Sequence, residues 1–211
     1  MMPAAHVALA PRIRLYPSGS PRPQLEPGWL ALAQQQRAET ERFVFGDGSH
    51  PTTRLCASVV DQLCRQRQPE AVLDVGTGTG VLARIARARG ATFVVGTDID
   101  TDALAASAAN SALDAQAVAI AFSREAPDHW GARFDLVVAN ILEEPLHELA
   151  PALGRALGPH GVLAISGFMR AQAPALRVRF EREGMQLAGE AHLEEWVVLV
   201  FEKRGPQSPG G

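Results

Sequence analysis

The chain has 211 residues, of which 46% are hydrophobic and 20% charged, with a formal net charge of -3. This length suits one α/β domain with a substantial core and leaves little room for two. The charge provides no global basic field of the kind that nucleic-acid binding uses. The sequence has no apolar run of about 18 residues that could span a membrane.

Residues 1–42 precede the main predicted domain, and residues 1–28 are rich in proline. Proline disfavours helices and central strands, so we expect an extended arm with one short strand at 12–16. A short helix is predicted within 29–42. Residues 205–211, GPQSPGG, predict a disordered tail. These boundaries leave residues 43–204 as the main predicted domain.

Strand-like and helix-like segments alternate along this domain. Five apolar segments predict strands, at 71–75, 92–98, 118–122, 134–140 and 161–168. Helices are predicted at 81–89, from a cap at Thr101 or Asp102 to 112, at 145–157 and near 171–183. Two closely spaced strands follow, at 185–191 and 194–203. We therefore predict an α/β, Rossmann-like fold with a mostly parallel seven-stranded sheet, helices on both faces and a C-terminal antiparallel hairpin.

The two cysteines, Cys56 and Cys64, fall within one predicted helix. Their separation along such a helix is roughly 12 Å, whereas a disulfide needs Cα atoms within about 7 Å. The two therefore cannot pair with each other, and unpaired thiols fit a reducing compartment. The first residues lack the pattern of a signal peptide. We expect a cytoplasmic protein.

A glycine-rich turn, DVGTGTG at residues 74–80, follows the first strand of this domain and opens a helix. Glycine lets the backbone turn tightly and approach a ligand, and amides at a helix start favour an anionic group. Dinucleotide sites use G-x-G-x-x-G, but here Val81 stands at the third glycine position. The early Gly80, with Asp74 before Gly76 and Gly78, indicates S-adenosylmethionine as the cofactor.

Two aspartates follow the next strand. Asp98 can accept both ribose hydroxyl hydrogens of the cofactor, whereas Asp100 can cap the following helix. The alternative is that both aspartates only form caps and turns. We favour Asp98 for the ribose and include its neighbour Ile99 in the predicted cofactor site.

Asn140 ends the fourth strand, in VVANIL, at the same edge of the predicted sheet. Its amide offers donors and acceptors to a substrate amine or to the cofactor. The alternative is an asparagine that only turns the chain. With the other motifs present, we predict Asn140 as both a cofactor-binding and a catalytic residue.

Residues 45–56, FGDGSHPTTRLC, resemble the signature of the bacterial ribosomal-protein methyltransferases called PrmA. The order continues through VLDVGTGTGVLA, VVGTDID, LVVANIL and LEEW, so the resemblance covers roughly residues 43–203. It indicates the catalytic domain only, and we expect the family's usual N-terminal substrate-recognition domain to be lacking. Asp47 departs from the threonine that is common in the family.

The resemblance implies a class I methyltransferase fold and N-methylation of protein amino groups. It also implies that Thr53, Gly76, Asp98 and Asn140 contact S-adenosylmethionine.

Several aromatic and histidine side chains have two interpretations each. His50 could orient the substrate or move a proton, or it could hold its loop by hydrogen bonds. Phe45 could cover the cofactor or pack in the core, and Trp196 is favoured for packing over a substrate platform. His129 and Trp130 are candidates for the adenine end. The remaining histidines and the cysteines show no metal-ligand spacing, so no metal is predicted.

The predicted function is an S-adenosylmethionine-dependent methyltransferase that acts on lysine or N-terminal amines of a protein such as a ribosomal protein. No membrane partner and no direct nucleic-acid partner is expected. The alternative is a small-molecule methyltransferase whose compact pocket is closed by the N-terminal arm. A non-catalytic binding protein is disfavoured by the intact glycine turn, and a nicotinamide oxidoreductase by Val81.

Overall fold

The structure, a computed structural model, describes residues 7–35, 43–114 and 119–204. The strands of this part are β1 Val7–Ala10, β2 Ile13–Pro17, β3 Leu30–Gln34, β4 Ala71–Val75, β5 Phe93–Thr97, β6 Ala121–Ser123, β7 Phe134–Asn140, β8 Leu157–Met169, β9 Met185–Leu193 and β10 Trp196–Lys203. The helices are α1 Pro51–Arg67, α2 Val81–Ala88, α3 Thr101–Ser111, α4 Glu143–Ala156 and α5 Ala173–Arg182, with short 3-10 helices at Pro127–Trp130 and Arg170–Gln172.

Seven strands form the main sheet, in the order β6-β5-β4-β7-β8-β10-β9. Strands β4 to β8 pair in parallel, and β10 pairs antiparallel with both β8 and β9. The predicted fold class and the C-terminal hairpin are therefore confirmed. The strand order reverses between β4 and β7, and ligands of open α/β sheets bind at the carboxyl ends of the strands at such a switch point.

Each face of the main sheet has its own apolar core. In β7, Leu136 and Val138 belong to the cluster that α1 and α2 cover. Val137 and Ala139 point to the opposite face and belong to the cluster that α4 and α5 cover. This alternation follows from the two-residue period of a strand, and it confirms helices on both faces.

The N-terminal arm contains a second, three-stranded sheet in which β2 pairs with β1 and β3. The strand predicted at 12–16 is confirmed as β2. The helix predicted within 29–42 is wrong over Leu30–Gln34, which is strand β3, and residues 36–42 lie outside the described residues. Alanine, leucine and glutamine favour helices locally, but here the parallel pairing with β2 overrides that preference.

This small sheet packs into the core of the larger one. Leu9, Ile13, Leu15 and Leu32 are buried in the same cluster as α1 and α2. Burial of one such side chain stabilises a fold by roughly 1.5–3 kcal/mol. The described strands of the arm are therefore an integral part of the packing, not a free extension.

Several local predictions can be compared with the structure. The cap of α3 is Asp100, which accepts a hydrogen bond from the Asp102 amide at 2.9 Å, and not Thr101 or Asp102. Strand β6 begins at Ala121; residue 118 and the predicted tail at 205–211 lie outside the described residues.

Both cysteines are buried and unpaired within α1, as predicted. No helix of the described part combines the length and apolar character needed to cross a bilayer.

Candidate functional site

The glycine turn joins β4 to α2 at the switch point of the sheet. Gly76, Gly78 and Gly80 have φ angles of 69°, 52° and 80°, a region that side chains other than glycine rarely adopt. A Cβ atom on Gly76 would lie 2.2 Å from the Ile141 side chain, and one on Gly78 would lie 2.3 Å from the Phe45 carbonyl oxygen. Glycine is therefore required here because other segments of the chain pack against the turn.

Backbone hydrogen bonds connect the turn to the end of β5. The amides of Gly76 and Thr77 both donate to the Thr97 carbonyl, at 2.8 and 2.9 Å. The Gly78 amide donates to Asp98 Oδ2 at 3.0 Å, and Asp98 Oδ1 accepts from the Asp100 amide at 3.0 Å. Each carboxylate oxygen can accept a second hydrogen bond. Asp98 therefore holds the turn and keeps capacity for ribose hydroxyls, while the capping role considered for Asp100 is confirmed.

Asp74 is a buried carboxylic acid beneath the turn, with 1% of its surface exposed. Its Oδ2 accepts from Thr77 Oγ1 at 2.7 Å and from the Ala83 amide at 3.2 Å. Burial raises the pKa of Asp74 from its ordinary value of 3.8 to about 6; the Thr77 and Ala83 hydrogen bonds oppose that rise, and the Asp98 charge adds to it. A cationic ligand beside Asp74 would favour the ionised form.

Three buried oxygen atoms of predicted site residues lack hydrogen-bond partners among the described residues. They are Thr53 Oγ1, Asp74 Oδ1 and Asn140 Oδ1. An unpaired buried polar atom costs about 1–3 kcal/mol and therefore needs an explanation. Away from this site, the unpaired buried atoms are mostly nitrogens, such as Trp130 Nε1. The three oxygens fit a ligand that carries N–H and O–H donors, as S-adenosylmethionine does.

The FGDGSH segment and the glycine turn form one structure. The Thr79 amide donates to the Phe45 carbonyl at 2.9 Å, and Thr79 Oγ1 donates to the Gly46 carbonyl at 2.6 Å. Asp47 Oδ1 accepts from the amide and the hydroxyl of Ser49, at 2.9 and 2.6 Å, and so closes a local turn. Asp47, which stands where the family commonly has threonine, therefore stabilises the segment through its own side chain.

His50 is the N-cap of α1, where its Nδ1 accepts from the Thr52 amide at 3.3 Å and lies 2.8 Å from Thr52 Oγ1. Its ring centroid lies 5.2 Å from that of Phe45 and 4.8 Å from that of Trp196. Trp196 opens the antiparallel β10 opposite Met169, the last residue of β8, and thus reaches the carboxyl edge of the sheet. These contacts support the loop-holding interpretation of His50; its catalytic role stays a prediction.

Exposed apolar side chains surround this edge. Ile99 follows β5 and is 87% exposed, Leu142 follows β7 and is 73% exposed, and Met169 ends β8 and is 44% exposed. Such a concentration of exposed apolar surface marks binding sites. Sequence reasoning selected Ile99 but missed Leu142 and Met169, although each is an apolar residue at or just after the end of a strand.

The prediction for His129 and Trp130 is wrong. The Trp130 ring packs against that of Phe93, the first residue of β5, with the two ring centroids 6.3 Å apart. It therefore lies at the amino edge of the sheet, across from the glycine turn. Within the described ranges, no three histidine, cysteine, aspartate or glutamate residues are grouped to hold a metal ion.

Comparison with known proteins gives a consistent family assignment. A family model described as "Ribosomal protein L11 methyltransferase (PrmA)" matches residues 42–204. Ribosomal protein L11 methyltransferase of Methylobacillus flagellatus is 42% identical over 77% of this chain and 53% of the relative. The protein of the same name from Geobacter sulfurreducens is 40% identical over 86% of this chain and 60% of the relative. The chain thus spans just over half the length of these relatives.

Solved structures agree with this assignment. The crystal structure of ribosomal protein L11 methylase from Lactobacillus delbrueckii subsp. bulgaricus superposes with a TM-score of 0.81 at 26% identity, covering 94% of this chain and 98% of that chain. A TehB-like SAM-dependent methyltransferase from Corynebacterium glutamicum, at 20% identity and a TM-score of 0.56, covers 69% of this chain and 87% of its own and shares the fold. The chain therefore belongs to the family of ribosomal protein L11 methyltransferases.

Proposed function

We propose that this chain is an S-adenosylmethionine-dependent methyltransferase that acts on amino groups of a protein. One observation carries the proposal: the three unpaired buried oxygens of Thr53, Asp74 and Asn140, which accompany the glycine turn. Oxygen atoms accept hydrogen bonds, so this set suits a ligand rich in donors. The ammonium, adenine amino and ribose hydroxyl groups of S-adenosylmethionine are such donors, and so is the amino group of a methyl acceptor.

The residues around the turn have distinct proposed roles in binding. Asp98 accepts the ribose hydroxyls while it holds Gly78, and exposed Ile99 offers an apolar surface to the adenine. Asp74 and Thr53 accept hydrogen bonds from the amino acid end. When bound, S-adenosylmethionine supplies an electrophilic methyl group on a cationic sulfur.

Asn140 is proposed to receive the acceptor amine. An amine attacks only after it has lost its proton, and the reference pKa of lysine is about 10.4. Burial among the apolar residues of this edge would lower that pKa. The unpaired Asn140 Oδ1 would accept an N–H of the neutral amine and direct its lone pair. Correct alignment of two reacting groups can contribute roughly 7–11 kcal/mol, and His50 would help by holding the loop beside the site.

The acceptor class follows from the family. The relatives are named for ribosomal protein L11, and we propose a lysine or N-terminal amine of a protein such as a ribosomal protein as the acceptor here. The small-molecule alternative required the N-terminal arm to close a compact pocket. The comparisons do not favour it, and strands β1 to β3 are accounted for by their packing against α1 and α2.

The test compares two neighbouring aspartates. Asp98→Ala should abolish measurable S-adenosylmethionine binding in calorimetry, because both its loop contact and its ribose contact are lost. Asp100→Ala removes a helix cap, which costs about 0.5–2 kcal/mol of stability, and should retain binding. Unchanged affinity in Asp98→Ala would refute the ribose role.

The acceptor class needs a second measurement. Purified chain is incubated with cell lysate and cofactor labelled on the methyl group, and the products are separated by size. Label in the protein fraction, released as methylated lysine or N-terminal amine after hydrolysis, is expected. Label confined to small molecules would contradict the proposed acceptor.

A further inference from the structure

We propose that Asn110 is a positioning residue of the cofactor site, through which the N-terminal sheet holds the glycine turn in place. This inference rests on the proposed function, since it concerns the affinity for S-adenosylmethionine. Asn110 would touch neither the cofactor nor the acceptor; it would act through the Thr79 carbonyl.

The Asn110 side chain bridges two distant segments. It lies on α3, is 4% exposed, and donates from Nδ2 to the Thr79 carbonyl at 3.1 Å. Its Oδ1 accepts from the amide of Gln35, the residue after β3, at 2.9 Å. Asparagine is a weaker helix former than the alanines around it, so this buried position costs helix stability. The Oδ1 end of the side chain therefore binds the residue after β3, and the Nδ2 end binds the glycine turn.

Thr79 is the point where these segments meet on the turn. Its amide and hydroxyl hold Phe45 and Gly46, and its carbonyl is held by Asn110. The next residue, Gly80, has little freedom to move, because a Cβ atom there would lie 2.9 Å from Ser107 Cβ on α3. The position of α3 therefore sets the position of the turn, and Asn110 is the polar contact between them.

A second side-chain contact anchors the same strand without involving Thr79. The buried Arg84 guanidinium donates to the Ala33 carbonyl, and it pairs with Asp114 through Nε–Oδ2 and Nη2–Oδ1 distances of 2.8 and 2.7 Å. Loss of this pair would lower stability but would leave both Asn110 hydrogen bonds, from Gln35 and to Thr79, in place. The chain thus provides a matched control for a merely structural effect.

The first experiment compares Asn110→Asp with Asp114→Asn. Asn110→Asp keeps the acceptor for Gln35, and its ionised carboxylate has no donor for the Thr79 carbonyl. We expect it to raise the dissociation constant of S-adenosylmethionine about tenfold or more, because the turn is no longer held at the Thr79 carbonyl in the geometry that binds the cofactor. The KM for cofactor should rise with it, while kcat at saturating cofactor changes less. Asp114→Asn should lower the free energy of unfolding and leave cofactor affinity within about twofold of wild type.

A second pair tests the link to β3 from an exposed position. Gln35→Pro removes the backbone N–H that Asn110 accepts, whereas Gln35→Ala keeps it. Only the proline variant should weaken cofactor binding. If circular dichroism shows that Asn110→Asp does not fold, the comparison of the two Gln35 variants tests the positioning role instead.

Three results would separate the possible failures. Wild-type chain that binds no S-adenosylmethionine would overturn the proposed function itself. Wild-type affinity in folded Asn110→Asp, or equal weakening in Asp114→Asn, would overturn the positioning role while the function stands. If Asn110→Asp does not fold, equal cofactor affinities of the two Gln35 variants would overturn the positioning role.

Discussion

Replacement of Asp74 by asparagine should change how the stability of the cofactor-free chain depends on pH. Burial raises the pKa of this carboxyl from 3.8 to about 6 in the folded chain. Between these values the folded chain keeps a proton that the unfolded chain has released, so the free energy of unfolding falls as pH rises. The contribution is fully present below pH 3.8 and is lost above about pH 6.

The size of this effect follows from the two pKa values. Their difference corresponds to on the order of 3 kcal/mol. Asparagine is neutral throughout, and its Oδ1 can accept the hydrogen bonds from Thr77 and Ala83 that Asp74 now accepts. The free energy of unfolding of Asp74→Asn, minus that of wild type, should therefore rise by about 2.4 kcal/mol from pH 4 to pH 7, since part of the effect is already lost at pH 4.

Urea denaturation at a series of pH values measures this difference directly, because every other titrating group contributes to both proteins. Thr77→Val serves as the opposite control: it removes a hydrogen bond that lowers the pKa of Asp74, so its stability should fall further as pH rises. Parallel pH curves for wild type and Asp74→Asn would refute the reasoning. At pH 7 the Asp74→Asn variant should bind S-adenosylmethionine less well, because an amide nitrogen then stands where Asp74 Oδ1 offers an acceptor.

Three further predictions concern the site and the core. Asn140→Ala should lower turnover much more than the free energy of unfolding, and turnover equal to wild type would remove Asn140 from the site. Gly78→Ala places a Cβ atom 2.3 Å from the Phe45 carbonyl oxygen and should weaken cofactor binding at least tenfold (about 1.4 kcal/mol); Gly189→Ala, with open space around it, should bind as wild type. The two cysteines, whose pKa burial raises to about 12, should resist thiol labelling at pH 8 until urea unfolds the chain; rapid labelling of the native chain would contradict their burial.

The main sheet could be predicted because its signals are local. Each parallel strand is a short apolar run, and helical spacing or glycine separates one from the next. In the N-terminal sheet only β2 was predicted; β3 has no such local signal, since it joins β2 through pairs such as Ile13 with Leu30. Only the tertiary pairing turns residues with helical preference into a strand.

In the candidate site, too, only the residues with a local sequence signal could be predicted. Asp98 and Asn140 could be selected because their residue types stand at strand ends, but the asparagine at 110 lies inside an alanine-rich helix and gives no sequence signal. The prediction that places Trp130 at the adenine end is wrong, although its position in the sequence indicates the opposite edge of the sheet. It comes shortly before β7 begins, and a segment that leads into a parallel strand lies at the amino edge.

The position of β10 between β8 and β9 has a consequence for synthesis of the chain. Strand β9 is joined to the main sheet only through β10 in the described structure, although it leaves the ribosome first. A nascent chain that has not yet emerged beyond Trp196 has an unpaired β9 and lacks the ring that packs on His50. Because domains fold as units during translation, the main sheet cannot be completed until residues 196–203 have been made.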